Sequence, residues 1–242
     1  MPKQPSSPPK PVSEVWRPEL TRLPHLHWAR RWYRAFWRWL FELVILVCTK
    51  RTVEGIENFP SKGPALVVVN HLGDADAPLL VSTLPVSLDA LGKIELYDFP
   101  VLGKLMDWYG IIWLHRGRAD RRAIRAALDG FAEGRFIVIA PEGRYSLIGG
   151  LEEGEPGAAF LAIKGNVPVV PVVIFGTENE QVYGHLKRLQ RAPVTLRVGK
   201  AFRLSSQADR HEALREGTRQ IMETLANLLP EAYRGSYRTV SH

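Results

Sequence analysis

The stretch ALVVVNHLGDADAPLLVSTL, residues 65–84, decides the fold. Its opening is an unbroken apolar, β-branched run without polar alternation, as in a strand buried on both faces of a parallel sheet. The run stops at Asn70. A turn rich in Gly and Asp follows, and residues 77–84 then read as a helix. A strand feeding a helix through a polar turn is the first half of a βαβ unit. The expected architecture is α/β, a mostly parallel central sheet flanked by helices.

The same pattern recurs toward the C-terminus. FPVLGKLMDWYG (99–110) reads as helix, IIWLH (111–115) as strand, and ADRRAIRAALDGFAEG (119–134) as a helix stopped by Gly134. RFIVIA (135–140) is a second buried strand. EPGAAFLAIKGN (155–166) is a helix starting near Pro156, VPVVPVVIFG (167–176) and VTLRVGK (194–200) are strands, and 206–229 is a closing amphipathic helix with a break expected near Gly217. One domain over 53–230 is expected, with a C-terminal tail over 231–242.

The N-terminal side is different. Residues 1–24 are rich in Pro and Ser and are expected to form an extended, mostly disordered tail; no apolar stretch marks them as a signal peptide. In 25–52, Trp28, Trp32, Trp37 and Trp39 interleave with Arg30, Arg31, Arg34 and Arg38. Tryptophan favours the headgroup layer of a bilayer and arginine faces anionic lipid there. The apolar run Leu43–Cys48 is far shorter than the roughly 20 residues needed to span. An interfacial helix is therefore favoured over a spanning one, the bland alternative being an amphipathic helix packed on its own domain. The charge supports this division. Of the net +7, residues 1–52 carry ten basic and three acidic side chains, leaving 22 of each in the remainder. Nucleic acid is not expected as a partner, because it would leave Phe41–Cys48 without a role. The single Cys48 excludes an intramolecular disulfide and an all-cysteine zinc site.

Functional groups in open α/β sheets gather beyond the C-terminal ends of strands. Three expected strands end that way: one runs into Asn70, His71 and Asp76, one into Arg116, and one into Pro141, Glu142, Gly143 and Arg144. Over about 53–200 these blocks resemble the glycerolipid acyltransferase family, specifically the lysophosphatidic acid acyltransferases. Asn70, His71 and Asp76 match the Asn-His-x-Ser-x-x-Asp block, with Gly73 in place of its serine. Ile111–Arg116 match the second block, with His115 where an acidic residue is common. Pro141, Glu142, Gly143 and Ser146 match Pro-Glu-Gly-Thr-Arg-Ser, and 167–174 match the fourth, proline-containing strand. The departure is in the third block, where Tyr145 stands at the usual arginine position and Arg144 lies one place earlier. That block is implicated in binding the acceptor's glycerol phosphate, so the departure bears on acceptor identity.

The resemblance implies acyl transfer from a thioester, acyl-coenzyme A or acyl carrier protein, to the 2-hydroxyl of 1-acylglycerol 3-phosphate. Neither a metal nor any further cofactor is implied. His71 would be the general base, since a neutral imidazole can take a hydroxyl proton as the new bond forms. Asp76 would orient it, with Asp74 as the rival. On a continuous helix residues five apart do not share a face, so the spacing requires His71 on the turn and Asp76 in the first helical turn. Arg116, assisted by Arg144, would bind the acceptor phosphate, or Arg116 would merely pair with Asp120. Glu142 and Gly143 would shape the acceptor site, with Gly143 allowing close backbone approach, or Glu142 would cap a turn. Other acceptors (glycerol 3-phosphate, a lyso-ornithine lipid, another lysolipid) stay open. So do a thioesterase and a non-catalytic lipid-binding protein. The expected location is the cytoplasmic face of a membrane, the inner membrane of a bacterium.

Overall fold

The computed structural model describes residues 9–117, 119–205 and 209–238. Its seven strands are β1 (Thr49–Glu54), β2 (Ala65–Val69), β3 (Leu88–Lys93), β4 (Ile112–Leu114), β5 (Phe136–Ile139), β6 (Val169–Phe175) and β7 (Ala192–Val198). They form one sheet in the order β1-β7-β6-β2-β5-β3-β4. Every neighbouring pair is parallel except β6 and β7. The helices are α1 (Trp28–Cys48), α2 (Asp76–Thr83), α3 (Leu102–Tyr109), α4 (Arg121–Ala132), α5 (Gly157–Gly165), α6 (Asn179–Lys187) and α7 (Arg210–Leu228).

The alternation within β2 divides the helices between two layers. Leu66 and Val68 point into a core built with α4, α5 and α7, while Ala65, Val67 and Val69 point into one built with α1, α2 and α6. Both faces of β2 are thus buried, which is why its sequence reads as a continuous apolar run. All of its five residues are fully or nearly fully buried.

Four expectations change. First, residues 9–24 are extended but packed, so disorder does not describe them. Ser13 N–H donates to the Arg116 carbonyl at 3.1 Å, the Arg116 N–H donates to Ser13 Oγ at 2.8 Å, and the Arg135 guanidinium donates to the Pro24 carbonyl at 2.8 Å. Val15 and Leu20 pack on the small core around Trp113. A proline-rich chain makes no ladder of its own, but here its polar groups find partners on the domain. Residues 1–8 lie outside the described residues. Second, β1 starts at Thr49, within the segment assigned to the N-terminal helix. Third, α7 runs unbroken through Gly217, where the missing side chain lets it approach Ala159 of α5. Fourth, the tail after 230 continues the fold. Two 3₁₀ turns cover Glu231–Tyr233 and Gly235–Tyr237, and Leu151 exchanges backbone hydrogen bonds with Tyr233 and Ser236. Residues 239–242 lie outside the description.

On α1 the arginines and the tryptophans part company. Arg34 is buried and donates to Asp89 at 2.6 Å and to the Tyr109 carbonyl at 2.7 Å; Arg30 donates to the Trp108 carbonyl at 2.9 Å. These arginines fasten the helix to the domain. The opposite face carries Trp28 (75% exposed), Trp32 (73%), Phe36, Trp39 (62%), Leu43 and Leu46. Their spacing of three and four puts them in one outward apolar stripe. Among the described residues, no helix is long and apolar enough to cross a membrane.

Candidate active site

His71 sits on the turn that leaves β2, and Asp76 opens α2. Asn70 fixes where the strand ends: its buried side chain donates to the Ile174 carbonyl and accepts from the Ile174 N–H, both at 2.8 Å, extending the ladder to β6 through side-chain atoms. The chain must then turn beside β6. Gly73 permits that turn, since a Cβ there would stand 2.2 Å from the Thr177 carbonyl oxygen. The serine of the family pattern has no room in this backbone.

The turn wraps one carboxylate oxygen. Asp76 Oδ2 accepts from the N–H groups of Leu72 (2.7 Å) and Gly73 (3.0 Å) and lies 2.7 Å from His71 Nδ1. Asp76 is buried, while the His71 side chain is 30% exposed. The pair sits as the five-residue spacing requires. The rival orienter, Asp74, faces elsewhere: its carboxylate accepts from the hydroxyls of Tyr145 (3.1 Å) and Tyr183 (3.0 Å). With Nδ1 donating to Asp76, Nε2 carries the lone pair on the open side of the ring.

Glu142, just past β5, is wholly buried. Its oxygens accept from the N–H of His71 (3.1 Å) and the N–H of Glu152 (2.7 Å), binding the β2 turn to the 142–152 loop. Burial pushes its carboxyl up to about 8, against the pull of those two donors. Glu142 thus positions the turn that carries His71. Gly143 has φ +73°, and nothing but Glu155 Cγ, at 3.9 Å, lies near its missing Cβ. Its requirement is the left-handed backbone, not the close approach expected from sequence.

Arg144 does not fit a substrate-binding role. Its guanidinium turns inward onto buried Glu152, with contacts of 2.8 and 2.7 Å. Glu152 also accepts the Leu147 N–H at 2.7 Å, so the pair organises the loop. Tyr145 instead lies against the imidazole, its ring centroid 4.0 Å from that of His71. Burial, then the charge of Asp74, pushes the Tyr145 hydroxyl up, keeping it a donor.

Arg116 follows β4, three strands from β2 and so roughly 14 Å away at strand spacing. It does not pair with Asp120. Its guanidinium is 3.6 Å from Glu95, and its Nε has no hydrogen-bond partner among the described residues. Asp120 belongs to His115 instead. Asp120 Oδ2 lies 2.7 Å from His115 Nδ1, and the backbone N–H of Arg17 donates to His115 Nε2 at 3.0 Å. The structure therefore brings His71, Asp76, Glu142 and Tyr145 together and sets Arg116 apart. Tyr183 and the second His–Asp pair were missed from sequence, and Tyr145 was singled out only as a departure from the third block. The signal for the pair was present, because His115 and Asp120 repeat the spacing of His71 and Asp76.

An Acyltransferase family model matches residues 50–175. The chain is 32% identical over 131 residues to a chloroplast 1-acyl-sn-glycerol-3-phosphate acyltransferase of Brassica napus, covering 53% of this chain and 38% of that one. It is 32% identical over 112 residues to a lyso-ornithine lipid O-acyltransferase of Pseudomonas aeruginosa, covering 46% and 43%. The chain spans roughly half the length, or less, of the curated relatives it matches. The crystal structure of the 1-acyl-sn-glycerophosphate acyltransferase PlsC from Thermotoga maritima shares the fold, with a TM-score of 0.64 at 23% identity over 83% of this chain and 81% of that one. The family model covers more than half of the chain, and the protein belongs to the acyltransferase family, the glycerolipid acyltransferases.

Proposed function

We propose that the protein transfers a fatty acyl group from a thioester, acyl-coenzyme A or acyl carrier protein, to the 2-hydroxyl of 1-acylglycerol 3-phosphate at a membrane surface. The observation that carries this reading is the oriented, half-open imidazole of His71 with its Nδ1 on buried Asp76. His71 Nε2 takes the hydroxyl proton as the hydroxyl oxygen attacks the thioester carbon. The carbon–oxygen bond forms, the carbon–sulfur bond breaks, and the imidazolium returns the proton to the departing thiolate. Asp76 stabilises that imidazolium. No acyl-enzyme is required. Arg116, whose guanidinium lies 3.6 Å from Glu95 beyond β4, would have to reach the acceptor phosphate from that side of the sheet. The apolar stripe of α1 rests in the lipid interface, so the long acyl chain need not cross water.

A second acceptor class is favoured by a specific observation. Arg144 is committed to Glu152, and Tyr145 with the Asp74 carboxylate lines the mouth beside His71. A lysolipid whose head carries hydrogen-bond donors, such as a lyso-ornithine lipid, suits that wall better than a phosphate does. Thiol release from oleoyl-coenzyme A tests both readings, with 1-acylglycerol 3-phosphate, glycerol 3-phosphate, lyso-ornithine lipid or no acceptor present. Release that depends on 1-acylglycerol 3-phosphate supports the leading reading. Dependence on another acceptor replaces the substrate, and acceptor-independent release indicates a thioesterase.

A further inference from the structure

Between α1, β1 and α2 lies an open groove of about 540 Å³, lined by Arg38, Trp39, Glu42, Arg51, Val53 and Thr83 among others. It lies on the α1 side of the sheet, built by elements that supply none of the site residues except Asp76 at the far end of α2. Arg51 grips Glu42 with both nitrogens, at 2.6 and 2.7 Å, and donates to Thr83 Oγ1 at 3.2 Å. These bonds, then the charges of Arg51 and Arg38, hold the Glu42 carboxyl below its ordinary range despite partial burial. Arg38, half-buried, is different: it lies near Glu42 but has no hydrogen bond or ion pair among the described residues. Two guanidiniums and one carboxylate leave the groove one positive charge in excess.

The rim tells which kind of anion fits. Trp39 lines the groove and also belongs to the outward apolar stripe of α1. The groove therefore opens beside the face assigned to the bilayer. From charge, hydrogen-bond donors and position together, we propose that it holds the phosphodiester headgroup of an anionic bilayer phospholipid. One phosphodiester charge balances the excess. Arg38 supplies the free fork for two of its oxygens and the Thr83 hydroxyl lies at the same wall. A zwitterionic headgroup would add a cation facing two arginines. The bound lipid is a docking contact, distinct from the acceptor consumed at His71. The inference rests on the membrane reading of α1 given above.

The test is flotation of the full chain with vesicles of phosphatidylcholine alone or with added phosphatidylglycerol. Wild type is compared with Arg38→Gln and Val53→Trp. The first removes the free charge. The second fills the groove and leaves the charge unchanged. The expected result is a preference for phosphatidylglycerol vesicles that falls about fivefold in Arg38→Gln, the factor that one arginine–anionic-lipid contact of ~1 kcal/mol is worth. Val53→Trp should show a similar fall, and both variants should keep wild-type binding to phosphatidylcholine. A fall in Arg38→Gln alone would reduce the effect to diffuse surface charge and overturn the site. Unchanged preference in both would overturn it with the membrane reading intact. Failure of wild type to float with either vesicle would overturn both. Release of wild type by millimolar inorganic phosphate at constant ionic strength would assign the groove to the free ion and overturn the lipid assignment.

Discussion

Two histidine–aspartate pairs of the same spacing and the same 2.7 Å contact stand at the ends of two strands of one sheet, β2 and β4. In each, the His leaves a strand, the Asp lies where the next helix begins, and the same carboxylate oxygen also accepts backbone N–H, from Leu72 and Gly73 at Asp76 and from His115 alone at Asp120. They differ in what meets the far ring nitrogen. His115 is 1% exposed, carries Trp16 against its ring at 4.5 Å, and has its Nε2 occupied by the Arg17 N–H. His71 is 30% exposed, and its Nε2 meets no hydrogen-bond partner among the described residues. A His–Asp pair is thus a local way to build a strand-to-helix turn. Only a pair with one nitrogen left unused could act as the base proposed above.

Asp120 strengthens the structural reading of the second pair. It caps α4, accepting from the N–H groups of Arg122 and Ala123. Burial alone would raise its carboxyl, but the hydrogen bonds from His115 and the helix outweigh burial and hold it below its ordinary range. The N-terminal segment covers this pair, so the part of the chain expected to be disordered is what occupies the second nitrogen of His115.

The comparison can be broken in several ways. The largest effect should come from Asp76→Asn, which disturbs tautomer and imidazolium together. Turnover should fall by about 10²–10⁴-fold while the fold persists; a loss under tenfold would reduce Asp76 to a turn residue. Asp120→Asn should act on the other quantity. Denaturant unfolding should report a loss of about 2–4 kcal/mol from a buried, multiply bonded carboxylate, with turnover per folded molecule unchanged. Loss of turnover without loss of stability would give the second pair a catalytic role. Arg116→Ala should raise the acceptor KM by about 10–100-fold and leave the thioester KM alone, as expected for one charge-assisted contact. A change confined to the thioester would move that arginine to the donor side.

The smallest effect concerns Glu142. Its carboxyl is raised from an ordinary 4.5 to about 8, so the folded chain holds this proton more tightly than the unfolded chain. Its contribution to stability is then fully present below about pH 4.5 and is lost as pH rises through 8. Relative to Glu142→Gln, which cannot titrate, the melting temperature of wild type should decline steadily over that window. A flat or rising difference would mean that the two N–H donors keep Glu142 ionised.

What the sequence made legible follows burial. β2, β5 and β6 are covered on both faces and write continuous apolar runs. β1, TKRTVE, is an edge strand with mostly exposed or half-buried side chains, and its composition carries no strand signal. β3, LDALGK, holds the buried Asp89 that anchors Arg34 and Arg135, so its polar residue disguised a core strand. α6 buries only Val182 and offered no periodicity. At the site, His71 and Asp76 were legible because their geometry is local. Arg144 was misread because its partner, Glu152, lies eight residues on across a folded loop. Gly73 and Gly143 were visible as motif positions, but only the backbone gave the reasons for them, a carbonyl contact at one and a positive φ at the other.

The most direct test replaces each histidine in turn, His71→Ala and His115→Ala. Thiol release from oleoyl-coenzyme A is then measured with acceptor present and divided by the folded fraction of each sample. The account predicts loss of turnover by about 10²–10⁴-fold in the first and a rate per folded molecule within about twofold of wild type in the second. Equal losses, or a loss confined to His115→Ala, would contradict it.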